Sequence, residues 1–95
     1  MSAYVLVQIN ITNVEPYKDY LKQVTPTVEK YEGEYIIRGG KFETMLGKWD
    51  YQRTVAIKFP SYEKAMEWYK SKEYAPIKKI REDNSDGNLI IVDGI

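Results

Sequence analysis

From Tyr4 to Ile11 the chain alternates. Val5, Val7, Ile9 and Ile11 fall on one side, and Tyr4, Leu6, Gln8 and Asn10 on the other. A period of two defines a half-buried strand. Its second side mixes aliphatic, aromatic and amide groups where a wet face would carry charge. Asn13 is a suitable N-cap, with Glu15-Pro16 in the first turn. Beyond it Val14, Tyr17, Leu21, Val24, Val28 and Tyr31 recur at helical spacing and predict one amphipathic helix. Pro26 falls inside it and predicts a kink or break, because proline removes a ladder hydrogen bond and crowds the preceding turn. Gly33 ends the helix.

A second strand is expected at Glu34 to Arg38 and a third alternating stretch at Lys41 to Leu46. The intervening Gly39-Gly40 admits a tight hairpin turn or a bulge in one long strand, and we expect the bulge. Gly47 to Tyr51 reads as a loop. Gln52 to Phe59 reads as a strand with Val55, Ile57 and Phe59 on one face. Ser61 caps a second helix, whose inner stripe is Tyr62, Ala65, Met66 and Tyr69, with Trp68 beside it. Pro76 opens a short helical turn holding Ile77 and Ile80, Asp83 to Gly87 is a turn cluster, and Leu89 to Asp93 is the last strand. The order β-α-β-β-α-β predicts an α+β, ferredoxin-like domain over residues 1–95, an antiparallel sheet with helices on one face.

Composition narrows the chemistry. At 95 residues there is room for one domain, and one this short buries only about 60–65% of its unfolded surface. The chain has no cysteine and no histidine. This excludes thiolate catalysis, disulfides, zinc–thiolate and iron–sulfur sites, and the usual neutral-pH base. Fourteen basic residues balance fourteen acidic ones, so there is no broad field for nucleic acid or anionic membrane. No leader peptide or membrane span is read. A cysteine-free chain fits a cytoplasmic setting. No metal and no cofactor is expected, since Asp83 to Gly87 lacks the spacing of a calcium loop and Gly39-Gly40-Lys41 that of a phosphate loop.

Helices on one face leave the mixed face of the sheet unpaired, and packing it on a second copy predicts a homodimer. Arg38, leaving a strand beside two glycines, can hold a carboxylate or phosphate bidentately, or can pair with a nearby glutamate. Trp49 and Arg53, four residues apart in the stretch Gly47-Lys48-Trp49-Asp50-Tyr51-Gln52-Arg53, can line a pocket for a flat or anionic ligand. Alternatively Trp49 caps the core edge with Arg53 stacked on it. Tyr69 lies on the helical aromatic stripe, where packing and ligand contact are both open.

Tyr35-Ile36-Ile37-Arg38-Gly39-Gly40 and the long segment Phe59-Pro60-Ser61-Tyr62-Glu63-Lys64-Ala65-Met66-Glu67-Trp68-Tyr69-Lys70-Ser71-Lys72-Glu73-Tyr74 resemble the family called domain of unknown function 1330, along nearly the whole chain. The resemblance implies the dimeric α/β-barrel superfamily, which also holds cofactor-free monooxygenases, muconolactone isomerases and haem enzymes. It assigns no activity. Positions matching its motifs are Arg38, Gly39, Gly40, Trp49, Arg53, Trp68, Tyr69, Ser85 and Asp86. Tyr51 departs from it, standing where the family often has proline.

Three functions compete. The first is a domain binding a small anionic or aromatic metabolite between sheet and helices, with Arg38 and Arg53 on the anion and Trp49 and Tyr69 as walls. The second is an oxygenase- or isomerase-like enzyme without cofactor, using Tyr, Lys, Asp or Glu for proton transfer; no pair of residues singles itself out as catalytic. The third is a non-catalytic interaction or stress module.

Overall fold

The computed structural model describes residues 1–95. Its elements are β1 (Ala3–Ile11), α1 (Val14–Lys30), β2 (Glu34–Arg38), β3 (Arg53–Phe59), α2 (Tyr62–Lys70), α3 (Ala75–Asn84) and β4 (Ser85–Asp93). The strands form one antiparallel sheet in the order β2-β3-β1-β4. This is the ferredoxin-like arrangement, with β1 and β3 central and each chain crossover made by helices. No helix is long and apolar enough to cross a membrane.

Alternation places Val5, Val7 and Ile9 of β1, and Val55, Ile57 and Phe59 of β3, under the helices. Trp68 is the pivot of the core. Its ring lies 5.5 Å from Phe59 and 4.3 Å from Tyr74, and its indole N–H donates to the Thr27 hydroxyl at 3.0 Å. Thr27 in turn donates to the Val24 carbonyl, so a polar atom enters the core without being orphaned. Tyr20 and Tyr74 share a buried hydroxyl–hydroxyl bond of 2.9 Å. At the surface, Glu73 is held by Lys30 and by the Tyr31 hydroxyl, and these bonds hold its carboxyl down at about 2.

Several expectations change. Helix α1 runs unbroken through Pro26, whose exposed position lets the lost hydrogen bond be borne at the surface. The buried stripe of α1 is Tyr17, Tyr20, Val24, Thr27 and Val28, rotated from the expected one, and Val14 is exposed. The left-handed residue after α1 is Glu32 (φ 65°), not Gly33. The Gly33 N–H reaches the Val28 carbonyl and the Glu32 N–H that of Glu29, the paired bonds of a Schellman end. Gly33 is needed for a different reason: a side chain there would stand 2.6 Å from Val28 and 2.7 Å from Phe59.

Lys41–Leu46 is not a strand. Residues 39–52 form an irregular arm with no ladder, and the bulge lies upstream, between Tyr35 and Ile37. On α2 the buried positions are Ala65 and Trp68, while Tyr62 is exposed. The short turn after Pro76 is a full ten-residue helix, α3. The expected turn at Asp83–Gly87 is divided between the end of α3 and the start of β4.

Candidate functional site

The side chains on the helix face of β1, β2, β3 and β4 meet those of α1 and α3 in a cleft. Its lining includes Tyr17, Tyr20, Tyr35, Arg38, Arg53 and Arg81 around a chamber of about 20 Å³. The chain contains three arginines, and all three line this chamber. Lysine makes every ion pair in the structure, and all four of these pairs are at the surface. No arginine has a carboxylate within salt-bridge reach.

The three arginines differ in how they are held. Arg38 leaves the end of β2 and bridges to α1, donating to the Thr25 hydroxyl at 2.8 Å and the Leu21 carbonyl at 3.4 Å. Its guanidinium also stacks on Tyr35 at 4.0 Å. Arg38 therefore has no glutamate partner; its hydrogen bonds go to α1.

Arg53 opens β3 opposite Ile9. Its Nε is sealed from solvent with no hydrogen-bond partner. Gly39, with φ +74°, passes directly over it, and a Cβ at Gly39 would lie 2.8 Å from the Arg53 Cζ. The Arg-Gly-Gly stretch is thereby accounted for: the glycine admits a left-handed turn and leaves room for the arginine. Arg81 comes from α3, and its Nη1 is likewise buried and unpartnered. Leaving a buried donor unpaired costs about 1–3 kcal/mol, and more when it is charged.

The tyrosines respond to this setting. Burial pushes the Tyr17 phenol up, opposed by the positive charges of Arg53, Arg81 and Arg38, and Arg53 lies within hydrogen-bonding range of it. All three cations line the same chamber as the Tyr17 side chain. Burial drives Tyr35 up to about 12, and Tyr74 upward as well. For Tyr20, burial and the neighbouring Tyr74 act in the same direction.

Of the residues singled out in the sequence, Arg38 and Arg53 meet in the cleft, and Tyr69 is not among its lining residues but lies close to Arg81. Trp49 does not join Arg38 and Arg53 in the cleft, although it shares with Arg38 the lining of a larger hollow on the arm side. It lies across the sheet, donating to the Thr54 hydroxyl at 3.3 Å, near Leu6, Gln8, Asn88 and Ile90. The cause is alternation: Arg53 points to the helices, so Thr54 and whatever packs on it face away. The arm carrying Trp49 is fastened to that outer face by Asn10. The Asn10 side chain donates to the Asp50 carbonyl at 3.1 Å and accepts from the Gln52 N–H at 2.7 Å. A larger hollow of about 670 Å³ lies between this arm and the edge of β2. It is an open apolar trough, and neither unpartnered arginine group lies in it.

Arg81, Tyr17, Tyr20 and Tyr35 were not identified as site residues from sequence. For Arg81 a signal existed: Ile77 and Arg81 are four apart, so one helical face carries both.

A ferredoxin-like sheet with a cationic, tyrosine-lined cleft on its helix side defines a class of small α+β domain. The chain belongs to the family described as domain of unknown function (DUF1330), whose model matches residues 2–95. No curated protein matches the sequence. Among solved structures, the chain is similar to the RPA0582 protein of unknown function from Rhodopseudomonas palustris, with a TM-score of 0.79 at 18% identity, covering 99% of this chain and 82% of that one. It is also similar to SnoaB, a cofactor-independent oxygenase from Streptomyces nogalater, with a TM-score of 0.68 at 6% identity, covering 99% and 93%. A de novo designed protein, Foldit4, shares the fold with a TM-score of 0.63 at 15% identity over the whole of both chains. At these identities the likeness is one of fold.

Proposed function

We propose that this protein binds a small anionic metabolite in the cleft between sheet and helices, as a cytoplasmic homodimer. The observation that carries the reading is one buried guanidinium nitrogen without a hydrogen-bond partner on each of Arg53 and Arg81, in a chamber with no carboxylate among its lining residues. A buried donor left unpaired costs about 1–3 kcal/mol, and an anionic group accepting from both arginines removes that cost. Arg38 closes the α1 side and adds positive charge. Tyr69 flanks Arg81. Trp49 has no part in this cleft.

The dimer rests on the other face of the sheet. Leu6 lies between Ala56 and Ile90 across the ladders, and Tyr4 lies beside Val92. Leu6, Ile37, Ile90 and Val92 are all exposed. A second copy, with the same surface related by a two-fold axis, fits an apolar patch of this kind.

The test is an NMR titration with acetate, benzoate and inorganic phosphate, following the side-chain Nε–H resonances of the arginines. At least one of these anions is expected to move Arg53 and Arg81 in a saturable manner, and Arg53→Met or Arg81→Met to weaken it at least ten-fold. Unchanged affinity in both variants would overturn the assignment. Analytical ultracentrifugation at micromolar concentration should give the dimer mass; a monomer would remove the two-fold packing.

A second reading is favoured by three arginines lining one chamber with Tyr17. Fixed positive charges would stabilise an enolate or phenolate form of a bound substrate. Such an anion is the species on which an oxygenase- or isomerase-like enzyme without cofactor would act. Turnover that disappears in Arg53→Met would favour this reading over binding alone.

A further inference from the structure

The chamber on the helix side of the sheet measures about 20 Å³. One water-sized body fills it, since roughly 10–15 Å³ is the least that admits a water. A carboxylate or phosphate could place a single oxygen there but not the whole group. Yet the lining concentrates positive charge. Arg38, Arg53 and Arg81 all border the chamber, and no aspartate or glutamate does. Arg38 directs its hydrogen bonds to α1. Arg53 Nε and Arg81 Nη1 are sealed from solvent and meet no protein acceptor.

Two kinds of body have the right size: a water molecule and a monatomic anion. A water can accept from both arginines, but it leaves their charge uncompensated. No arginine has a carboxylate within salt-bridge reach. Much of the remaining lining is hydrocarbon, from Val7, Leu21, Val55, Ile57 and Leu89. Against such walls an opposite charge is worth far more than it is in bulk water. A monatomic anion supplies that charge, accepts from several N–H donors at once, and has no proton of its own to place. Among the halides, fluoride holds its hydration shell most strongly and would lose it against these apolar walls. Chloride sheds its shell more readily and is only slightly larger than a water.

We infer that the chamber is a halide site, holding chloride on Arg53 and Arg81 when no carboxylate ligand is present. The choice of arginines rests on the anion-binding reading above. The inference adds a resident ion to it, which a carboxylate must displace with one of its oxygens. Binding of an organic anion is then an exchange, and its apparent affinity depends on the chloride concentration.

The test follows the arginine side-chain Nε–H resonances of the wild-type protein by NMR as sodium chloride replaces sodium fluoride at constant ionic strength. Arg53 and Arg81 are expected to move saturably, and the melting temperature to rise with chloride. Arg53→Met and Arg81→Met should each weaken chloride binding at least ten-fold, and the melting temperature of Arg53→Met should not respond to chloride. Acetate should compete, with an apparent affinity that falls as chloride is raised. If acetate or benzoate moves both arginines saturably and chloride moves neither, the inference is overturned and the anion-binding reading stands. If chloride binds and no carboxylate displaces it, the halide site stands and the metabolite reading falls. A drift that is the same in chloride and fluoride and never saturates is ionic screening alone, and it overturns the inference. If no anion moves either arginine, a water fills the chamber, and both readings fall together.

Discussion

Replacing Arg53 by methionine should make the ligand-free protein more stable. Methionine keeps the length and the aliphatic stem but removes the guanidinium, whose Nε is buried and unpaired. A stranded donor of this kind costs about 1–3 kcal/mol, and more for a charged group. Against this stands the loss of the Arg53 interaction with Tyr17, worth roughly 1 kcal/mol as an ordinary hydrogen bond. The net expectation is a gain of about 1 kcal/mol, which in a domain of this size raises the melting temperature by about 4–8 °C. Calorimetry and urea unfolding of the ligand-free protein measure it directly. Arg38→Met is the control with the opposite sign, because Arg38 is bonded to Thr25 and Leu21 and stacked on Tyr35. Its loss should cost about 1–2 kcal/mol. If Arg53→Met instead destabilises the protein by 1 kcal/mol or more, Arg53 is a strut of the fold like Arg38, and the argument from its missing partner fails.

Two further outcomes follow from the same structure. Tyr17, Tyr20, Tyr35 and Tyr74 all have their phenol ionisation pushed up by burial. The unfolded chain therefore loses these protons first, and stability, complete below about pH 10, should fall from pH 10 upward at up to about 1.4 kcal/mol per pH unit for each tyrosine. Urea midpoints that stay flat between pH 10 and 11.5 would contradict this. Pro26→Ala restores a hydrogen-bond donor within α1 at an exposed site, where interior proline costs about 3 kcal/mol relative to alanine. A gain of about 1 kcal/mol or more by denaturant unfolding is expected, and no gain would mean that the helix has adapted to its proline without cost.

The periodicity that was easiest to read was also the most durable. β1 and β3 are central strands with one face under helices, so their alternation is enforced by burial along its whole length. Phe42, Thr44 and Leu46 alternate as well, yet they form no strand. Alternation gives a residue two faces but does not supply a neighbour to bond, and the arm leaves the β2 edge after Gly39 turns with positive φ. Helix α3 is longer than its apolar pattern indicates, because its sequence is mostly polar and only Ile77 is buried.

The site was legible in part for a similar reason. Arg38 and Arg53 attract attention beside glycines and aromatics. Arg81 sits in Lys78-Lys79-Ile80-Arg81-Glu82-Asp83, which has the composition of a solvated helix surface. What distinguishes Arg81 is where α3 packs, and that is a tertiary fact. Trp49 illustrates the converse. It lies four residues before Arg53 in sequence, but the strand that begins at Arg53 sends neighbouring side chains to opposite faces.

The division of cationic residues also governs how a ligand would arrive. Eleven lysines lie away from the cleft and three arginines line it, while the chain as a whole carries no net charge. At distances beyond a Debye length, about 8 Å in physiological salt, an approaching anion meets an electrically neutral body. Only at the mouth does it meet guanidinium groups poorly screened by water. Capture of the proposed anion would then be a matter of unguided collision, with selectivity expressed in how long it stays.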